Sequence, residues 1–525
     1  MTSTESGASM TRRTWTMRFI LHRSVTILSA VLLTVAAASS AQRPNIVIVL
    51  ADDMGYGDLG YYNAESKIPT PNMDQLAREG IRFTDAHSAS AVCTPSRYAL
   101  LTGRYCWRTP LKYGVLFNYE PPLIEPGRMT LASLLKANGY TTAITGKWHL
   151  GLNFPTLPGR SIDFDDPLPW YPGPEPDRAV GESIDFSKPV SGGPEDLGFD
   201  RAFYTAGCAT DQAPYCFIEN RRFVGMKNAA YRRPERSIRY GMASPDWRND
   251  LVDLKFADKA ITFIDEAATR EQPFFLYVPL SSPHSPHFVP KLAEGKSRAG
   301  WRGDMVWLVD SIVGRIVDAL KEGGVAENTL LIVTSDNGPL AGSLKPGERE
   351  GAARPDYGHK SAGDLRGFKA KIHEGGHRIP FIARWPGRIP AGVTSDELLG
   401  QNDLLATFAA IVGQDLPKDA GEDSFNVLTA LRGGKLSADR RPPLIQHAGR
   451  AAFAIRDGNW KLILVKPRKP GVEPKWNPTG ELYNLAQDPA ETTNLRTKHP
   501  EKVEELTSAL KRFESGEPSV NRRTR

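Results

Sequence analysis

Short runs of β-branched and large apolar residues alternate along the chain with stretches of helical spacing, and four of these runs stop abruptly at polar residues. The run I-V-I-V-L at 46–50 gives way to Ala51, Asp52, Asp53, Met54 and Gly55. T-T-A-I-T at 141–145 leads into Gly146, Lys147, Trp148 and His149, and F-F-L-Y-V at 274–278 leads to P-H-S-P-H at 283–287. T-L-L-I-V-T at 329–334 ends in Ser335, Asp336, Asn337 and Gly338. Runs of this kind alternating with helices predict an α/β fold with a large parallel or mixed sheet covered by helices. Ligands of such sheets sit beyond the carboxyl ends of the strands, so the four ends are expected on one rim.

Past residue 400 the pattern changes. Residues 450–465 read as two strands about Asp457, Gly458 and Asn459, and a helix follows near 501–513. A smaller antiparallel sheet packed by a helix is expected there. The predicted organisation is a removable segment at 1–41, a catalytic domain at 42–400 and a smaller domain at 401–525, its tail from 515 loose.

Length and composition support this reading. At 525 residues, 40% hydrophobic and 24% charged, the chain suits a large α/β domain plus a smaller one. Arg12, Arg13, Arg18 and Arg23 against Glu5 place half of the formal +6 in the first 41 residues, and no basic stripe with interleaved aromatics follows. Nucleic-acid binding is not expected. The arginines precede V-T-I-L-S-A-V-L-L-T-V-A-A-A and then S-S-A before Gln42, the layout of a secretory signal cleaved near Ala41. A membrane anchor is the other reading, but the apolar run falls short of the ~20 residues a span needs. An exported protein, periplasmic or secreted and without stable membrane insertion, is expected. In an oxidising compartment Cys208 and Cys216 could pair, as could Cys93 and Cys106.

The polar ends suggest chemistry. Asp52, Asp53, Asp336 and Asn337 form an all-oxygen set suited to Ca²⁺, or to Mg²⁺, rather than zinc. Lys147 and His149 flank Trp148, so an extended segment would point both to one face. Residues 93–104 read C-T-P-S-R-Y-A-L-L-T-G-R. Pro95 suits a first helical position and Gly103 a stop, which places Cys93 at or beside an N-cap where anions are favoured. Arg97 adds a planar fork suited to an oxyanion.

Cys93-Thr94-Pro95-Ser96-Arg97 with Leu101-Thr102-Gly103-Arg104 behind it resembles the signature of the type I sulfatases, members of the alkaline phosphatase superfamily that include arylsulfatases and N-acetylgalactosamine-6-sulfatases. I-V-L-A-D-D-M-G, T-G-K-W-H-L-G, P-H-S-P-H, T-S-D-N-G-P and L-R-G-F-K-A-K-I-H-E-G-G-H-R-I-P resemble its other motifs, in family order. The resemblance spans about 44–390. It implies an alkaline-phosphatase-like fold and conversion of Cys93 to Cα-formylglycine by a formylglycine-generating enzyme. It also implies Ca²⁺ on Asp52, Asp53, Asp336, Asn337 and residue 93, with Arg97 holding the formylglycine hydrate. Lys147, His284 and Lys369 would contact the sulfate, His149 would bond the formylglycine, and His287 is the alternative to His284. One hydroxyl of the hydrate would attack sulfur, and the second would later expel sulfate.

The expected substrate is a sulfated saccharide or an aryl sulfate. Two loops after the motifs, the proline-rich 153–177 and 208–216, could form a sugar pocket, with Asp211 and Tyr215 as contacts and His359, Lys360 and Asp364 as further candidates. Two rival readings remain: a formylglycine-dependent phosphonate or phosphodiester hydrolase, and an inactive binder of sulfated glycans.

Overall fold

The computed structural model describes residues 43–162, 174–234, 239–340, 357–437, 441–450, 452–465 and 480–520. The expected signal segment at 1–41, much of the proline-rich insertion and the last five residues lie outside them.

Ten strands make the large sheet: β1 (Asn45–Ala51), β2 (Ile81–Phe83), β3 (Thr141–Lys147), β4 (Arg201–Thr205), β5 (Ile218–Glu219), β6 (Arg222–Phe223), β7 (Phe274–Pro279), β8 (Thr329–Ser335), β9 (Phe381–Arg384) and β10 (Val393–Ser395). Their order is β10-β2-β9-β8-β1-β7-β3-β4-β5-β6. The middle five, β8-β1-β7-β3-β4, are mutually parallel, and antiparallel pairs flank them. Every residue of β1, β7 and β8 is buried, which explains their unbroken apolar runs: a strand covered on both faces has no side to leave polar.

Three helices, α1 (Pro71–Glu79), α3 (Val252–Ala268) and α4 (Gly300–Glu322), pack against one another through α4. Helix α2 (Cys93–Thr102) packs instead with the short helices Leu131–Ala137 and Leu404–Val412. All ten of its residues are buried, so α2 is a core helix rather than an amphipathic surface one. It ends at Gly103 with φ 64°, where the Gly103 N–H donates to Ala99 O, as expected of a left-handed cap.

A second sheet runs antiparallel through β11 (Leu444–His447), β12 (Ala452–Asp457), β13 (Trp460–Val465) and β14 (Glu481–Asn484). Asp457 pairs with Trp460 across the two-residue turn Gly458-Asn459, with φ 52° at the glycine. Helix α5 (Pro500–Glu514) covers β12 and β13. The apolar face of this sheet, including Ile445, Phe453 and Leu462, shares a cluster with Ala99, Tyr105 and Trp107, which lie in or just after α2. The small sheet is therefore cemented to the helix that carries Cys93, and Pro44–Arg525 forms one compact unit. Among the described residues, no helix is long and apolar enough to cross a membrane.

Candidate active site

The carboxyl ends of β8, β1, β7 and β3 are contiguous in the sheet, and each delivers its motif to one place. After β1, Asp53 takes a left-handed φ of 69°, a turn that Asp tolerates better than most residues. The Asp53 N–H donates to Asp336 Oδ1 at 3.2 Å, and Asn337 Nδ2 donates to Asp53 Oδ1 at 2.7 Å. Adjacent strand ends are thus laced together by their own acidic side chains. Gly338 completes the turn: a Cβ there would lie 2.0 Å from Gly375 O, so only glycine lets the β8 loop abut the segment after Lys369.

Helix α2 aims its N-terminus at the same place. Cys93 is only 2% exposed. It is the first helical residue, after the extended Val92, so Pro95 is the third rather than the first. A proline is tolerated there because none of the first N–H groups of a helix has an intrahelical acceptor. One turn on, Arg97 donates through Nε to Asp336 Oδ2 at 2.9 Å and through Nη1 to Lys147 O at 3.0 Å. Lys147, completely buried at the end of β3, donates to Asp52 Oδ2 at 2.5 Å. Lys369 donates to Asp53 Oδ2 at 2.8 Å.

His149 departs from the expected extended geometry. Its φ is 58°, so strand alternation ends at Lys147, and a turn rather than a pleat brings both side chains inward. Its Nε2 lies 2.8 Å from Leu116 O, an acceptor only, so the proton sits on Nε2 and Nδ1 is left as a base. Burial, reinforced by Lys147, lowers this imidazole to about 4. Nδ1 lies 4.0 Å from Cys208 Sγ. His284 donates from Nδ1 to Ser285 O at 2.5 Å, so its Nε2 faces Asp53 Oδ2 and Cys208 Sγ, each 3.9 Å away. Burial disfavours a charged His284, but Cys208, Asp52 and Asp53 together raise it well above its ordinary value. His287 is turned away, with Nε2 3.1 Å from Pro283 O.

The donor set can be tested for a cation. Ligand atoms of Asp52, Asp53, Cys93 and His284 all lie within 4.8 Å of one another. Asp52 Oδ1 and Asn337 Oδ1 are buried without a hydrogen-bond partner, a costly state for oxygens unless a cation is their partner. Burial, and then the nearby Asp52 charge, push Asp336 well above the ordinary carboxylate range despite Arg97. Burial would raise Asp52 and Asp53 too, but Lys147 beside the first and Lys369 beside the second hold both below it. A hard divalent cation fits this set.

Tyr215 is completely buried against Trp247, and its hydroxyl donates to Arg239 O at 3.1 Å. Asp211 lies 3.7 Å from the Arg239 guanidinium, and its N–H donates to Cys208 O at 3.1 Å. His359 Nε2 lies 2.8 Å from the buried Asp58, which also pairs with Arg302, and Lys360 and Asp364 bond each other at the surface. None of these three joins the cluster through a described contact. All four cysteines are free thiols, so neither possible pairing, Cys208 with Cys216 or Cys93 with Cys106, is formed. Cys106 contacts Thr109 and Leu111 O, and Cys208 turns into the site rather than toward Cys216. Reading the sequence missed Cys208 as a site residue. It follows β4, a fifth parallel strand end, whose short R-A-F-Y-T run was the available signal.

A second buried cluster joins the two sheets. Lys461, on β13, donates to Glu374 Oε1 at 2.9 Å and lies 2.8 Å from Glu491 Oε1 and 3.1 Å from His377 Nε2. His377 Nδ1 lies 3.0 Å from His87 Nδ1, and His87 Nε2 lies 2.8 Å from Asp85 Oδ1. Glu374 and His377 belong to the turn just after Lys369, so the small sheet anchors the loop that carries this lysine.

The profile of the sulfatase family matches residues 44–414, and that of the N-sulphoglucosamine sulphohydrolase C-terminal region matches 366–515. The chain is 32% identical to an N-acetylgalactosamine-6-O-sulfatase of Bacteroides thetaiotaomicron, covering 90% of this chain and 93% of the relative. It is 33% identical to arylsulfatase G of Rattus norvegicus, covering 90% and 86%. A solved structure described under metabolism of multiple glycosaminoglycans by Bacteroides thetaiotaomicron superposes with a TM-score of 0.76 at 31% identity, covering 90% of this chain and all of that one. With matches that span both sheets, the chain belongs to the sulfatase family and is a sulfuric ester hydrolase.

Proposed function

We propose that this protein is an exported enzyme that removes sulfate from carbohydrates, working through formylglycine at position 93 and a bound Ca²⁺. The observation that carries the reading is the convergence on Cys93, at the buried N-terminus of α2, of acidic oxygens, the cations Arg97, Lys147 and Lys369, and two histidines that donate from opposite ring nitrogens. The relatives named for N-acetylgalactosamine-6-O-sulfatase activity and glycosaminoglycan metabolism support a sulfated amino-sugar substrate.

Asp52, Asp53, Asp336 and Asn337 would hold the cation, which supplies charge neutralisation beside the sulfate and polarises its oxygens. A formylglycine hydrate supplies a nucleophilic hydroxyl and a second one through which sulfate can be expelled. The rest falls to the chain's own side chains. The buried Lys147 and Arg97, with the half-buried Lys369, place fixed positive charge in the cluster, where it acts more strongly than in solution. His284, which donates from Nδ1 and is raised well above its ordinary value, would carry a second proton on Nε2 to hand to the departing alcohol oxygen, and His149 keeps Nδ1 unprotonated as a proton acceptor.

The test is expression with a formylglycine-generating enzyme, then mass spectrometry of the peptide containing residue 93 and a panel of sulfated saccharides beside matched sulfate, phosphate and phosphonate esters. An aldehyde at 93 with sulfate release from an amino-sugar 6-sulfate is expected. A thiol at 93 with full activity, or a strong preference for the phosphorus esters, would overturn the reading.

A further inference from the structure

Cys208 is a nucleophilic group that the proposed chemistry does not use. It follows β4, is 5% exposed, and its N–H is fixed by Gln212 Oε1 at 3.0 Å. Its Sγ lies 3.9 Å from His284 Nε2 and 4.0 Å from His149 Nδ1. The sulfur of Cys93 lies within 4.8 Å of a ring nitrogen of the same His284, so the two thiols flank one imidazole. Neither Cys106, bonded to Thr109, nor Cys216, completely buried, is offered to them as a partner.

We propose that Cys93 and Cys208 form a disulfide in any copy of the chain whose Cys93 has not been converted, which makes residue 208 a redox cap on the unmatured catalytic centre. The co-reactant is a small-molecule disulfide such as glutathione disulfide. One cysteine thiolate attacks it, forming a mixed disulfide and releasing one glutathione. The other cysteine then attacks the mixed disulfide at the protein sulfur, forming the Cys93–Cys208 bond and releasing the second. The two cysteines lose two electrons, glutathione disulfide gains them, and the two thiol protons end on the two glutathiones. Aldehyde and disulfide are mutually exclusive fates of Cys93, so a capped chain is withdrawn from both conversion and stray thiol chemistry. The cap depends on two thiols set beside one imidazole and stands whether or not a given host converts Cys93.

The test uses the full chain expressed without a formylglycine-generating enzyme and equilibrated with glutathione disulfide. Free thiols are counted under denaturing conditions, and peptides are mapped without reduction. The chain is expected to lose two of its four thiols and to yield a linked peptide pair containing Cys93 and Cys208 that dithiothreitol separates. In the Cys208→Ser variant Cys93 is expected to remain free or to carry glutathione. Four thiols persisting, or a link from Cys208 to Cys216 or from Cys93 to Cys106, would overturn the proposal. Failure of this test leaves the formylglycine reading untouched, because that reading is judged on converted protein.

Discussion

Replacing Lys461 with methionine removes the centre of the cluster that joins the two sheets. The ammonium is completely buried and touches two carboxylates and an imidazole. Without it, Glu374 keeps Arg378 at 3.2 Å on its other oxygen, but Glu491 keeps only the Glu374 N–H at 2.6 Å. Breaking a buried ion pair from one side costs about 3–5 kcal/mol, because the remaining charge is stranded. We expect a loss of that size in urea unfolding followed by tryptophan fluorescence. The loss should depend on pH. Burial would raise Glu374, but Lys461, His87, His377 and Arg378 hold it well below its ordinary 4.5, so its stabilising effect is present above pH 4.5 and lost as pH falls through the lower folded value. The variant lacks the largest of those charges, so the deficit is greatest at neutral pH and narrows as the pH falls and the Glu374 carboxylate takes up its proton. Adding Glu491→Gln should recover most of it. A loss below about 1 kcal/mol, or a deficit flat with pH, would refute the view that this cluster is held by charge rather than by packing.

Three further outcomes are expected. Cys93→Ala should fold, by circular dichroism, yet release no sulfate from any ester; retained turnover would remove residue 93 from the chemistry. His149 is held near 4 against an ordinary 6.5, so the folded protein binds fewer protons than the unfolded one between these values. Stability is then lost as pH falls from 6.5 to about 4, by up to about 3 kcal/mol, and His149→Gln should flatten that part of the profile in denaturant titrations; an unchanged slope would show that His149 is not the group responsible. Dialysis against a chelator should lower both the melting temperature and sulfate release, with recovery on adding Ca²⁺ and not Zn²⁺. Insensitivity to chelation would argue that Asp52 Oδ1 and Asn337 Oδ1 have no cation to serve.

Much of the candidate site was legible because its polar residues sit where local patterns end. Asp52, Asp53, Lys147, Asp336 and Asn337 each follow an apolar run, and burial of both faces of β1, β7 and β8 makes those runs conspicuous. The order β8-β1-β7-β3 was not legible, since side-by-side pairing depends on contacts hundreds of residues apart. Nearness in sequence misled for Cys208 and Cys216: eight residues apart, they face different surroundings, and the loop between them turns one thiol toward His284. The burial of Tyr215 was not legible, because a loop tyrosine can equally be a substrate contact or a core plug. The role of Lys461 had no sequence signal, because a lysine within a strand reads as surface until an opposing pair of carboxylates is seen.

The burial of Cys93 also sets a clock. Its enclosure is built from segments that leave the ribosome much later: His284, Asp336, then Lys369, and finally the small sheet that holds the Lys369 loop in place. At roughly 5–20 residues per second, synthesis from position 93 to position 369 takes roughly 15–55 seconds. During that interval another enzyme can reach the side chain on an open chain, and after closure a residue 2% exposed offers such an enzyme no purchase. If residue 93 is converted as proposed, the yield of active protein is a kinetic partition between modification and folding, and slowing the chain's collapse should raise it.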